Sequence, residues 1–260
     1  MMTAQMTLSR KLGQIFQPFV RPKAQPDRSP IANQEGLTED EKESVLQAIV
    51  AELTTRPPTL GLIGVSGVGK SSTINTMFKA NLAVSHTRAC TKEFGDVQLR
   101  GTTGTIKDQS VSLVVRDAPG LGEDVRKDPQ FLEMYERELP ACDVVLWVMS
   151  ARNRAVALDQ MYLQHFLKRA REVEALADLP GKLVFGVNQV DLVHPMNWAD
   201  GRAKGDDRDP SPLPSVEQMM HIDDIVQDRS KRISDVLGRL VQVIPYSNVR
   251  GFNLEKLFTE

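Results

Sequence analysis

The run Gly64-Val-Ser-Gly-Val-Gly-Lys70-Ser71 places three glycines, a lysine and a hydroxyl at the spacing G-x-x-x-x-G-K-[ST]. Glycines let consecutive backbone N–H groups curl around phosphate oxygens, and a helix starting there adds partial positive charge. The candidate cradle is Gly64, Ser66, Gly67, Val68, Gly69, Lys70, Ser71 and Ser72. Lys70 is placed to reach β- and γ-phosphates, and the Ser71 hydroxyl to ligate Mg²⁺.

Three further segments follow in order. Asp117-Ala-Pro-Gly120 lies 47 residues after Lys70, at the end of a strand-like stretch. An Asp there holds Mg²⁺ through a water, and the Gly120 N–H senses a γ-phosphate. Asn188-Gln-Val-Asp191 follows a short apolar run. A carboxylate in such a loop accepts hydrogen bonds from guanine N1–H and the 2-amino group, a donor pair that adenine lacks. Asn188 braces that loop and the base. Ile244-Pro-Tyr-Ser247-Asn248 comes last, with backbone N–H groups available to guanine O6. The expected ligands are GTP and GDP with Mg²⁺.

The elements that must position these residues alternate strand and helix. Strands are expected at Thr59–Val65, Asp96–Arg100, Val111–Arg116, Asp143–Met149, Lys182–Val187 and Gln242–Pro245. Asp143–Met149 is nearly continuous apolar sequence, as in a parallel strand covered on both faces. Helices are expected over Ser71–Lys79, residues 130–139, Val156–Ala177, from about 215 to Leu240, and Asn253–Phe258, with Gly101–Gly104 as a turn. This pattern predicts a three-layer α/β fold: a mostly parallel sheet with helices on both faces. The organisation expected is an N-terminal helical extension and linker over 1–57 and one nucleotide-binding domain over 58–260. That domain carries a surface insertion at 199–214, rich in Gly, Asp, Arg and Pro. In the extension, a helix from Thr38 to about Leu53 ends before Pro57–Pro58.

These motifs resemble the translation-factor-related P-loop GTPases, and among them the Era-like group of bacterial and prophage GTP-binding proteins. Thr-Arg-Ala-Cys-Thr-Lys-Glu at 87–93 and Asn-Gln-Val-Asp-Leu-Val-His-Pro-Met-Asn-Trp at 188–198 carry the likeness, which covers about 58–260. The resemblance implies a GTPase in which Lys70, Thr91 and Gly120 serve hydrolysis and Ser71, Thr91 and Asp117 serve the metal. Thr87 is the alternative to Thr91. Gly67 resembles the corresponding glycine of septins and chloroplast import GTPases, which pair across their nucleotide sites, so a nucleotide-dependent homodimer is expected.

Other positions depart from the family pattern. Gln189 replaces the usual lysine, whose stem lies over the nucleotide; the glutamine amide plane can stack there instead. Leu121 follows Asp-x-x-Gly where Ras-type enzymes carry a water-orienting glutamine. Hydrolysis is therefore expected to be slow, or assisted by another group. Asn248 replaces an alanine, a change expected to be minor. Arg88, Arg152 and Arg154 are candidate suppliers of positive charge, each more simply read as surface arginines. His86 reads as a loop residue, and Cys90 as packing beside the switch.

Two function classes fit these residues: a slow GTPase switch with an unknown protein effector, and a GTP-gated scaffold with negligible turnover. An ATPase depends on Gln189 having degraded base selection. The net charge of −2 gives no broad electrostatic case for nucleic acid. Two cysteines without metal-ligand spacing fit a reducing compartment. No apolar run reaches the ~20 residues of a membrane span. The expected location is the cytoplasm. An apolar stripe of Leu8, Leu12, Ile15, Phe16 and Phe19 is left for docking on the domain, for a partner or membrane surface, or for disorder. The short helix expected at 253–258 raises the expectation that the natural chain, or a partner, continues past Glu260.

Overall fold

The computed structural model describes residues 38–78, 95–99, 105–106, 109–110, 113–122, 128–152, 156–196, 198–199 and 213–259. A six-stranded sheet forms the centre. Its strands are β1 (Thr59–Ile63), β2 (Gly95–Leu99), β3 (Leu113–Asp117), β4 (Val144–Ser150), β5 (Leu183–Asn188) and β6 (Val243–Pro245). The order is β6-β5-β4-β1-β3-β2. Every pairing is parallel except that of the edge strand β2 with β3. The mostly parallel three-layer α/β architecture expected from the sequence is the one observed.

The apolar run in β4 shows why. Val145, Trp147 and Met149 join one buried cluster, while Leu146 and Val148 join the other. A strand with helices on both faces needs apolar residues at both parities. The main helices are α1 (Glu39–Thr55), α2 (Lys70–Phe78), α3 (Asp128–Glu138), α4 (Ala157–Glu172) and α5 (Val216–Leu237). Tyr135 of α3 and Tyr162, Leu163 and Phe166 of α4 belong to the Trp147 cluster. Ile74 and Met77 of α2 belong to the other.

Several expected boundaries move. The helix expected to reach Ala177 ends at Glu172, because Val173 turns extended (φ −121°) and a 3₁₀ turn, Glu174–Leu176, carries Leu176 into the core. The helix expected to reach Leu240 ends at Leu237. There Gly238 adopts φ 67°, and its N–H closes on the Ser234 carbonyl at 2.8 Å. The first strand stops at Ile63, and Val65 instead forms an isolated parallel bridge with Leu121. The closing helix is four residues, Lys256–Thr259. The apolar stripe at 8–19, the turn 101–104 and most of the insertion, 200–212, lie outside the described residues. The insertion's flanks pair as two short strands, Trp198 opposite Pro214 and Ala199 opposite Leu213.

Candidate nucleotide-binding site

The carboxyl ends of β1, β3, β4, β5 and β6 lie along one edge of the sheet, where open α/β folds hold their ligands. The turn after β1 wraps the Lys70 ammonium, which donates to the carbonyls of Gly64 (3.1 Å) and Val65 (3.3 Å). Lys70 is the first residue of α2, so its side chain folds back into the turn that precedes it. Ser71, next along α2, donates to Asp117 Oδ2 at 2.6 Å. Asp117 ends β3 and is nearly buried. Lys70, Ser71 and Asp117 therefore meet in one place, as the motif spacing requires.

Two bonds then join this end of the site to the loop after β5. Asn188 Nδ2 donates to the Val68 carbonyl at 2.9 Å. Gln189 Nε2 donates to the Gly67 carbonyl at 3.1 Å, while its Oε1 accepts from Ser150 Oγ at 2.5 Å. Gln189 thus uses its amide as a brace across the ends of β4 and β5, with φ at 66°. The backbone at Gly69 turns through φ 92°, and a Cβ there would lie 2.5 Å from Asn188 Nδ2. Only glycine lets this turn and the Asn188 loop approach so closely.

Asp191 sits in the 3₁₀ turn Val190–Leu192 and accepts from Ser247 Oγ at 2.6 Å. Ser247 and Asn248 follow β6. The Asn248 N–H donates to Asn188 Oδ1 (3.4 Å), and its side-chain amide donates to Thr73 Oγ1 (3.0 Å) and the Gly69 carbonyl (3.4 Å). Thr73 also meets the Tyr246 hydroxyl at 3.0 Å. The Asn-for-Ala difference is therefore not minor: Asn248 ties the loop after β6 to the phosphate turn and α2.

Sequence reasoning missed two further residues. Gln218, fully buried on the first turn of α5, donates from Nε2 to the carbonyls of Val193 (2.8 Å), Val190 (3.4 Å) and Asp191 (3.4 Å). It fixes the turn that carries Asp191. The pattern Ser215-Val-Glu-Gln218 marks a helix start, and Ser215 Oγ does accept the Gln218 N–H, yet the side chain serves the neighbouring loop. Tyr135, wholly buried on α3, donates its hydroxyl to the Pro119 carbonyl.

Leu121 is fully buried in the core and bridges Val65 through its backbone, so its side chain faces away from the phosphate turn. Ser66 N–H donates to its carbonyl at 2.9 Å. Arg152 is exposed. Its N–H donates to Ser150 Oγ. Thr91, Thr87, Arg88, Arg154, His86 and Cys90 lie outside the described residues. Buried Asp159, on the first turn of α4, accepts from Trp147 Nε1 at 2.9 Å. Burial pushes its pKa up to about 6, against the smaller pull of the Trp147 bond and of Arg229 and Lys70.

A family model described as 50S ribosome-binding GTPase matches residues 59–188. The chain is 32% identical over 154 residues to the protein named Uncharacterized protein YkfA of Escherichia coli (strain K12), covering 59% of this chain and 48% of that one. It thus spans about half the length of this curated relative. Among solved structures, Era in complex with MgGDPNP and a segment of 16S ribosomal RNA aligns with 77% of this chain and 54% of its own, at 18% identity and TM-score 0.51. The chloroplast translocon components atToc33 and psToc159, for whose GTPase activity dimerization is important, align at 18% identity over 79% of this chain and 78% of theirs (TM-score 0.50). At such identities these structures bear on the fold alone. With a family match across the first five strands and an architecture that agrees with it, the chain belongs to the 50S ribosome-binding GTPase family.

Proposed function

We propose that this chain binds GTP with Mg²⁺ and hydrolyses it to GDP and phosphate, as a slow switch activated by pairing with a second copy or by a partner protein. The observation that carries this is the Asn188 Nδ2 bond to the Val68 carbonyl, which joins the two ends of the site into one frame. A triphosphate held by the turn at 64–72 leaves its base beside the loop at 188–191.

Within that frame, Lys70 supplies charge to the β- and γ-phosphates. The backbone N–H groups of Gly67, Val68, Gly69, Ser71 and Ser72 supply donors, while that of Ser66 is given to the Leu121 carbonyl. Asp191 accepts from guanine N1–H and the 2-amino group, with Ser247 holding one of its oxygens. Asn188 and the Asn248 N–H border the other edge of the base. The oxygens of Ser71 and Asp117, 2.6 Å apart, form a hard-oxygen pair of the kind that suits Mg²⁺. Thr91 completes that set by resemblance. The ion, when bound, neutralises charge on the phosphates as the γ-phosphoryl group leaves. Gly120 offers its N–H to the γ-phosphate.

The scaffold reading is favoured by one specific observation: Leu121 points into the core, so the side chain after Gly120 does not orient the attacking water. Phosphate release with GTP and Mg²⁺, followed over a range of protein concentrations, separates the two. A specific rate that rises with protein concentration supports catalysis across a pair. GTP bound with no turnover at any concentration supports the scaffold. No saturable binding of labelled GTP to folded protein would sink both.

A further inference from the structure

The stretch Asp117–Leu121 is held from below as well as from the phosphate turn. Tyr135 of α3 is completely buried, and its hydroxyl donates to the Pro119 carbonyl. Across a trans peptide, C=O and N–H point in opposite directions. The Pro119–Gly120 peptide is trans. With the Pro119 carbonyl aimed into the core at Tyr135, the Gly120 N–H is aimed out of it. Gly120 also lies against the turn itself, since a Cβ on it would sit 2.6 Å from Ser66 Cα.

We propose that Tyr135 is a positioning residue for recognition of the terminal phosphate: its hydroxyl fixes the plane of the Pro119–Gly120 peptide so that the Gly120 N–H already faces the γ-phosphate of GTP. This rests on the GTP reading above and deepens it. Burial, and after it the nearby charge of Asp117, raises the Tyr135 pKa well above its usual value, so the donor stays protonated. The consequence is a defined division of labour. GDP, which lacks the γ-phosphate, gains nothing from the orientation of this peptide. GTP does, and so does the step in which charge grows on the γ-oxygens.

The test is Tyr135→Phe, read by titration with fluorescent GDP and a fluorescent non-hydrolysable GTP analogue. Loss of a pre-set hydrogen bond to a charged group is worth about tenfold in affinity. The expected result is a triphosphate affinity lowered about tenfold with GDP affinity held within about twofold, hence a collapsed ratio of the two. 4-Aminophenylalanine at position 135 retains a donor at the same place and is expected to restore the ratio. If the Phe variant does not fold, 4-fluorophenylalanine at 135 fills the hydroxyl's space without donating, and the same ratio is read from it. An unchanged ratio in a folded variant, or equal loss for both nucleotides, overturns the proposal while leaving the GTP reading in place. Wild-type protein that binds neither nucleotide overturns that reading, and this proposal with it.

Discussion

Replacing Asp159 by Asn tests whether this fold carries a buried carboxylate at a net cost. Asp159 is 5% exposed, and its pKa is raised from 3.8 to about 6, chiefly by burial. At ~1.36 kcal/mol per pH unit, that difference amounts to ~3 kcal/mol. The sign follows from which state ionises first. Below 3.8 the carboxyl is protonated in both states and its full contribution is present. As pH rises through about 6, the unfolded chain is already ionised while the folded one resists, so stability is lost. Asn cannot titrate, and its oxygen can still accept from Trp147 Nε1. The advantage of Asp159→Asn over wild type should therefore be larger at about pH 8 than at about pH 4.5, by ~2 kcal/mol. Urea unfolding of nucleotide-free protein at both pH values measures this. Any fixed offset from the new amide cancels in the difference. An advantage that does not change with pH, or one that shrinks as pH rises, would refute the burial argument.

Lys70→Ala should lower triphosphate affinity by at least about tenfold, since it removes the only side-chain charge within the turn at 64–71; unchanged affinity and rate would show that this turn is not the site. Asp191→Asn should reduce the preference for GTP over ATP by about 10²-fold, measured by competition, because the double acceptor is lost. Retained preference would mean that another residue recognises the base. Gln218→Ala empties a buried position and strips a donor from three carbonyls. The expected loss of ~2–4 kcal/mol lowers the melting temperature by roughly 5–10 °C. It should also weaken GTP against ITP, which lacks the 2-amino group; a lower melting temperature with intact base preference would confine Gln218 to a structural role.

The sequence revealed what depends on local pattern. The phosphate turn combines a fixed spacing with a buried strand before it and a helix after it, and all three are in place at 59–78. The continuous apolar run of β4 likewise announced a strand buried on both faces. Helix ends were less legible, because Val173 and Gly238 decide them through local dihedrals and through the burial of Leu176. The side chains that hold the site together were least legible. Asn248 reaches Thr73 across 175 positions, Gln218 reaches Val193 across 25, and Tyr135 reaches Pro119 across 16. An asparagine, a glutamine or a tyrosine carries no sequence mark of its distant partner.

The departures from the family pattern share a physical consequence. A lysine over the nucleotide brings a charge and a long flexible stem; Gln189 brings a short neutral amide locked between Ser150 and Gly67. A glutamine after Gly120 would be free to swing toward a water, whereas Leu121 is sealed in the core. An alanine after Ser247 would make no side-chain hydrogen bond, whereas Asn248 binds the phosphate turn and α2. Each of these three side chains is held within the frame or the core instead of being directed at the ligand. Such a frame has less ordering left to do when nucleotide arrives, and pre-organisation of this kind favours binding. It contributes nothing to the attack of water, because none of these three side chains is left to turn toward the γ-phosphate. On the proposed GTPase reading, residence of the nucleotide and its turnover fall to different parts of the molecule. The first belongs to the braces built from Gln189, Asn188, Asn248 and Gln218, and the second to groups brought to Gly120 and Lys70 from outside that frame.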